Sequence, residues 1–179
     1  MIKNNFFYIK DINNILFIGF HEKFHQLKKI CEKNKMESSI ITSSSQSKNI
    51  KKTKFKIFNK LDSNFRNYIK NNYDLNKTLF VSLGSRLIFK KKDLNNLFKN
   101  NLVNFHSTRL PFDSGGASTS WKMMKNDRID NQLVHLVDQG IDTGPILQTA
   151  NSVIPKEYRT PREIDEFSMS KFLIFFELF

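Results

Sequence analysis

The chain has 179 residues, enough for one domain with a substantial core, and 39% of them are hydrophobic, with Phe dominating over Leu and Val. Its 29 basic residues outnumber 17 acidic ones, a net charge of +12 that favours anionic partners. The single cysteine, Cys31, excludes an internal disulfide and fits a reducing compartment, and neither Phe6-Phe7-Tyr8-Ile9 nor Phe172-Leu173-Ile174-Phe175-Phe176 is long enough for a signal or membrane segment, so a soluble cytoplasmic protein without membrane contact is expected.

Short apolar runs alternate with amphipathic stretches, the pattern of an α/β layer fold. Asn14 to Phe20 reads as a first buried strand ending at Gly19, and Glu22 to Lys33 as a helix with Phe24, Leu27 and Cys31 on one face. Ser39 to Thr42 is a second strand, Ser43 to Ser47 a loop, and Phe55 to Phe58 a short third strand. Asp62 or Ser63 caps a helix carrying Phe65, Tyr68 and Ile69. Thr78 to Leu83 is a strand ending at Gly84, and Lys92 to Lys99 a helix with Leu94, Leu97 and Phe98 inward. Leu102 to Phe105 is the next strand, followed by a helix capped by Ser118 or Thr119 and running through Trp121 and Met124. Gln132 to Val137 and Ile146 to Val153 complete the strands, and Thr160-Pro161 starts a last helix, since Pro suits a first turn. No repeat or linker divides the chain, so one domain over 1–179 is expected. Cys31 falls on an apolar helix face, where it reads as a small core hydrophobe.

Two lysine clusters, one at Lys51, Lys52, Lys54, Lys56 and Lys60 and the other at Lys90-Lys91-Lys92, suit anionic groups such as phosphate or pyrophosphate, with solvated faces as the plain alternative. Aromatics are not interleaved with them as a nucleic-acid stacking platform requires, which ranks nucleic acid low.

Two segments hold the ingredients of an acyl-transfer site. Asn104-Phe105-His106-Ser107 ends one apolar run, and Asp138-Gln139-Gly140-Ile141-Asp142-Thr143-Gly144 ends another, Leu133 to Val137. An amide, an imidazole and a carboxylate at the ends of buried strands can polarise a carbonyl and move a proton. Separately, each has a plain reading: a strand-end Asn as a turn residue, a lone His as a satisfied structural residue, Asp142-Thr143-Gly144 as an Asx turn. His135, in mid-strand, reads as a core or supporting residue ahead of a direct participant. In open α/β sheets ligands bind at the carboxyl ends of strands, where Gly84, Asn104 to His106 and Asp138 to Gly144 fall. No metal-ligand cluster is read from the sequence.

Asn104-x-His106, the following Leu110-Pro111, and Asp138-x-Gly140-x-Asp142-Thr143-Gly144 resemble the folate-dependent formyltransferases, best from about Leu79 to Pro161. That family usually places Pro directly after the histidine, where this chain has Ser107; a Pro would stiffen the backbone there. The resemblance implies a Rossmann-like three-layer domain with a mostly parallel central sheet flanked by helices. It implies transfer of a formyl group from 10-formyltetrahydrofolate to a primary amine, with Asn104 polarising the formyl oxygen, His106 donating to the oxyanion or relaying a proton, and Asp142 orienting His106. By the same resemblance the folate site is formed by Leu83, Gly84, Ser85, Arg86, Leu87 and Ile88 together with Asp138, Gly140, Ile141, Thr143 and Gly144, with Arg86 reaching folate carboxylates or lying on the surface.

Among acceptors, the resemblance favours an anionic nucleotide-linked amino sugar, because Gly115-Gly116-Ala117-Ser118-Thr119-Ser120-Trp121 and Leu83-Gly84-Ser85 look most like the sugar-nucleotide group. The glycinamide ribonucleotide enzymes carry a phosphate-cradling loop after the first strand, where this chain reads Gly19-Phe20-His21-Glu22-Lys23-Phe24. Methionyl-tRNA enzymes add a C-terminal domain and the hydrolases an N-terminal one; the end at Phe179 implies a core lacking a C-terminal extension. A degenerate domain that binds folate or a partner without turnover is the alternative. The last helix presents Phe167, Phe172, Phe175 and Phe176, an apolar face that a homodimer would cover.

Overall fold

The computed structural model describes residues 11–51, 53–111 and 118–179. The Phe6 to Ile9 run, Lys52 and Gly115-Gly116 of the sequence reading lie outside them.

Seven strands form one sheet in the order β3-β2-β1-β4-β5-β6-β7. The parallel part comprises β1 (Asn14–Gly19), β2 (Glu37–Thr42), β3 (Lys56–Ile57), β4 (Thr78–Leu83) and β5 (Leu102–His106). β6 (Ile129–Leu136) runs antiparallel to β5, and β7 (Ile146–Val153) antiparallel to β6. β1 and β4 are buried on both faces, which is why each reads as a continuous apolar run rather than an alternation.

Helices cover both faces, making three layers. On one face α1 (Phe24–Lys33) and α6 (Pro161–Leu178) bury Phe24, Leu27, Cys31, Phe172, Phe175 and Phe176 against Phe17, Val81, Val103, Phe105 and Val134. On the other, α3 (Ser63–Asn72) and α4 (Lys91–Asn96) bury Phe65, Ile69 and Leu94, with Leu97 and Phe98 beyond α4, against Leu16, Ile18, Ile41, Phe80 and Leu102. Each large apolar side chain buried in this way contributes about 1.5–3 kcal/mol. The buried Asp93 is held by the fork of Arg66 at 2.7 and 3.2 Å, tying α4 to α3. Cys31 is a core residue, and burial pushes its thiol up to about 11.

Local signals account for most element ends. The Asp62 carboxylate accepts the Phe65 N–H and starts α3. Thr160 and Glu163 form a capping box, with Pro161 in the first turn of α6. α4 gives way to a turn in which Lys99 and Asn100 adopt left-handed φ angles of 52° and 58°, so the helix is shorter than the apolar spacing predicts. Two expectations change. Ser43 to Ser47 is not a plain loop, because Ser44–Ser47 forms a short helix, α2. Thr119 does not cap α5 (Ser118–Met124); it lies inside the helix and its hydroxyl donates to Asp165 of α6 at 2.6 Å.

The apolar face of α6 is covered by the chain itself. The Phe105 ring lies 5.8, 5.9 and 5.4 Å from the rings of Phe172, Phe175 and Phe176, and Phe167 packs on Tyr158. Antiparallel β6 widens the sheet, giving α6 a floor that no local pattern announces. The bare patch that motivated a homodimer through this helix is therefore absent. Among the described residues no helix is long and apolar enough to cross a membrane.

Candidate functional site

Strand alternation divides β5 between two faces. Val103 and Phe105 enter the core under α6, so Asn104 and His106 face the opposite side. There the register aligns Ser82 of β4, Asn104 of β5 and His135 of β6 in one row. Because β6 is antiparallel, it ends beside Leu102, where the Val137 N–H donates to the Leu102 carbonyl. The 138–144 loop then folds back across this face before β7 begins. Its return is a close fit: a Cβ on Gly144 would stand 1.7 Å from the Leu136 carbonyl oxygen, so only glycine passes there.

The result is a cavity of about 310 Å³ with Ser82, Asn104, His106, His135 and Asp142 around its polar end, and with Ile88 and Ile141 also in its lining. Ile88 and Ile141 are 83% and 86% exposed, so the lining includes open apolar surface.

The polar end is ordered by hydrogen bonds. His135 Nδ1 lies 2.8 Å from the Leu136 carbonyl oxygen, which can only accept, so the ring proton belongs on Nδ1. The other nitrogen, Nε2, then accepts the Asn104 amide N–H at 3.2 Å. That bond fixes which end of the Asn104 amide is the donor and leaves its second N–H for a ligand oxygen. Asp142 Oδ1 lies 3.6 Å from His135 Nε2. Asp142 itself has φ 55°, a left-handed conformation that Asp tolerates better than most residues. Asp138 closes the base of the loop, its Oδ1 accepting the Gly140 N–H at 3.0 Å and the Thr143 hydroxyl at 2.7 Å. The Asx turn therefore falls at Asp138 and not at Asp142-Thr143-Gly144: the Asp138 carboxylate builds the turn, and the Asp142 carboxylate faces His135.

His106 Nδ1 is 2.6 Å from the Thr108 hydroxyl. Burial pulls its pKa below the ordinary value; the negative charge of Asp142 opposes that and His135 adds to it. The neutral imidazole is favoured at neutral pH.

Asn104, His106 and Asp142 are thus brought together, along with Gly84, Ser85, Leu87, Ile88, Asp138, Gly140 and Ile141. Four other residues of the sequence reading stand apart from the lining. Leu83 is buried in the core under α6, and Arg86 Nη1 reaches the Ser45 hydroxyl at 3.2 Å. Thr143 is turned to Asp138, and Gly144 packs under Leu136. The sequence reading missed Thr108, although it lies two residues from His106, and left the partner of His135 open. That partner is Asn104, 31 residues away, and only the β5–β6 register brings the two together.

A second cavity, of about 670 Å³, lies on the α6 side of the same strand end. Ser107, Lys122 and Asp130 are on its floor, and Lys23, Arg162 and Asp165 are among its walls. Lys122 and Asp130 are both buried and 3.8 Å apart.

This fold and site define an α/β protein with the formyltransferase fold, and comparison with known proteins agrees. No family model matches the chain. Over 81 residues it is 31% identical to a methionyl-tRNA formyltransferase of Thermodesulfovibrio yellowstonii, a match covering 45% of this chain and 26% of that protein. The matched segment spans about a quarter of the length of the curated relatives, 26% and 23%. The solved phosphoribosylglycinamide formyltransferase of Bacillus halodurans superposes with a TM-score of 0.68 at 16% identity, over 92% of this chain and 91% of that one. An N-formyltransferase of Helicobacter canadensis, solved with folinic acid and dTDP-3-aminofucose, gives 0.67 at 19% identity, over 93% and 61%. The chain resembles the formyltransferase family in sequence and has its fold.

Proposed function

We propose that this protein transfers a formyl group from 10-formyltetrahydrofolate to a primary amine. The observation that carries this reading is the joint placement of Asn104, His106 and Asp142 at the polar end of one open cavity, with His135 locking the Asn104 amide. Relatives and fold neighbours that are formyltransferases support it.

The folate enters the cavity between Ile88 and Ile141, whose exposed side chains offer apolar walls to a pterin or aminobenzoyl ring. The formyl oxygen takes the second N–H of Asn104. The amine lone pair attacks the formyl carbon, forming the new C–N bond and placing negative charge on that oxygen. Asn104 and a neutral His106 stabilise this charge: with Nδ1 accepting the Thr108 hydroxyl, the ring presents Nε2–H. Asp142 takes the proton lost by the amine, directly or through water. Collapse of the intermediate breaks the bond to the folate nitrogen, which takes up the proton that Asp142 received from the amine.

The acceptor is placed in the cavity of about 670 Å³, which reaches the same strand end through Ser107. Its walls mix acidic and basic groups around a polar floor, a lining suited to a hydroxylated amine. An amino sugar carried on a nucleotide is the acceptor class proposed.

Calorimetry with 5-formyltetrahydrofolate, a stable mimic of the donor, tests the reading. Saturable binding is expected, followed by formylation in a panel of nucleotide-linked amino sugars, glycinamide ribonucleotide and methionyl-tRNA. A folded sample that does not bind the mimic overturns it in favour of a degenerate domain.

A further inference from the structure

His106 faces the folate-side cavity; the next residue, Ser107, faces the other way. Where the β5–β6 ladder ends, His106 stands opposite Leu133, so the following pair in register is Ser107 and Gln132. The Ser107 hydroxyl donates to Gln132 Oε1 at 3.0 Å. Gln132 is 3% exposed and is anchored on three sides. Its Nε2 lies 3.0 Å from Asp130 Oδ2, 3.0 Å from the Ser168 hydroxyl and 3.3 Å from the Ser168 carbonyl oxygen. A carboxylate and a carbonyl can only accept, so the amide has one permitted orientation and Oε1 must face Ser107. Asp130 is in turn paired with Lys122 of α5.

We infer that Ser107 and Gln132 are positioning residues for His106. Gln132 is clamped between β6 and α6, and through its oxygen it clamps the turn that leaves β5. The same turn carries Thr108, whose hydroxyl holds His106 Nδ1. Fixing residue 107 on one face therefore fixes the imidazole on the other. A serine side-chain bond here does the work that a proline ring, by restricting φ, would do covalently. The chemical use of a positioned His106 rests on the function proposed above; the positioning itself does not.

The test reads His106 directly, by NMR titration of ring carbons in histidine-labelled protein without substrate, the signal assigned with His106→Gln. In the wild type its midpoint lies below the ordinary histidine value. Ser107→Ala and Gln132→Met untether the turn and admit water to the ring, so the midpoint rises by about half a unit or more as desolvation weakens. Ser107→Pro restores the wild-type midpoint: His106 is already extended, the conformation a following proline requires. Thermal melts confirm that each variant is folded. An unchanged midpoint in folded Ser107→Ala overturns the inference, as does a Ser107→Pro protein that titrates like the alanine variant. Should Gln132→Met fail to fold, the two Ser107 variants decide alone. Because no turnover is measured, failure of the formyl-transfer reading leaves this result standing.

Discussion

On one face of the β5–β6 pair, Asn104, His106 and His135 lie beneath the 138–144 loop. On the other, Ser107, Gln132 and Asp130 lie beneath α5 and α6. Both sets are polar and largely buried, yet they meet different covers. A loop that touches down on glycine and an Asx turn leaves an open cavity, with one N–H of Asn104 unspent. The helices bring their own polar partners, Lys122 and Ser168, so on that side the floor is knitted into a network. On the helix side the paired groups fix the floor of the larger cavity, whereas on the loop side Asn104 keeps a donor to spare.

The largest expected effect falls on the helix-covered face. Asp130→Ala leaves Lys122 buried without its countercharge and releases Gln132, which should cost about 3 kcal/mol of stability, the low end for a broken buried pair because the cavity admits water. Urea unfolding measures it. Replacing both partners together, as Lys122→Met with Asp130→Leu, should recover most of the loss; if it does not, the pair is not what the face depends on.

Across the strand the expected signature is reversed. Asn104→Ala should lower formyl transfer by about 10²–10³-fold, the usual cost of one preorganised oxyanion donor. Melting temperature should fall by less than in Asp130→Ala, since only the neutral His135 Nε2 loses its partner. His106→Ala and Asp142→Ala should follow the same pattern. If these variants instead lose stability and keep turnover, the contrast between the faces collapses.

A smaller effect sharpens the contrast through pH. His21, beside the larger cavity, stacks 4.4 Å from the Phe172 ring, and its Nδ1 accepts the Lys23 N–H. Burial, and then the charge of Lys23, pulls its pKa down to about 4. The unfolded chain takes up that proton near the ordinary value of about 6.5, so at lower pH the unfolded state binds more protons. Stability from the neutral ring is therefore present above about pH 6.5 and lost as the pH falls to about 4, at most roughly 3 kcal/mol. His21→Gln should flatten that limb in melts compared at pH 7 and pH 4.5. An equally steep loss in the variant would assign the acid sensitivity elsewhere, with His106 the next group to examine.

Much of this architecture is legible in the chain. The apolar runs at β1, β4 and β5 announce buried strands, because parallel strands covered on both faces need no polar alternation. Asp62 and Thr160-Pro161 announce helix starts because caps are local chemistry. Asn104, His106 and Asp142 are legible as an amide, an imidazole and a carboxylate at the ends of apolar runs, and the resemblance of their motifs to the formyltransferases groups them as one set.

What the sequence by itself determined, then, is most of the elements, the caps at Asp62 and Thr160, and the amide, imidazole and carboxylate of the site. Only the tertiary structure decided that β6 runs antiparallel, that the 138–144 loop folds back, that Asn104 bonds His135 and that Ser107 bonds Gln132. It also decided that α6 closes its phenylalanines onto Phe105 rather than onto a second chain. The physical reason is the range of the forces involved. Caps and apolar periodicity act over a few residues, whereas strand direction and cross-strand pairs are settled by which distant surfaces pack together, and no local pattern records that choice.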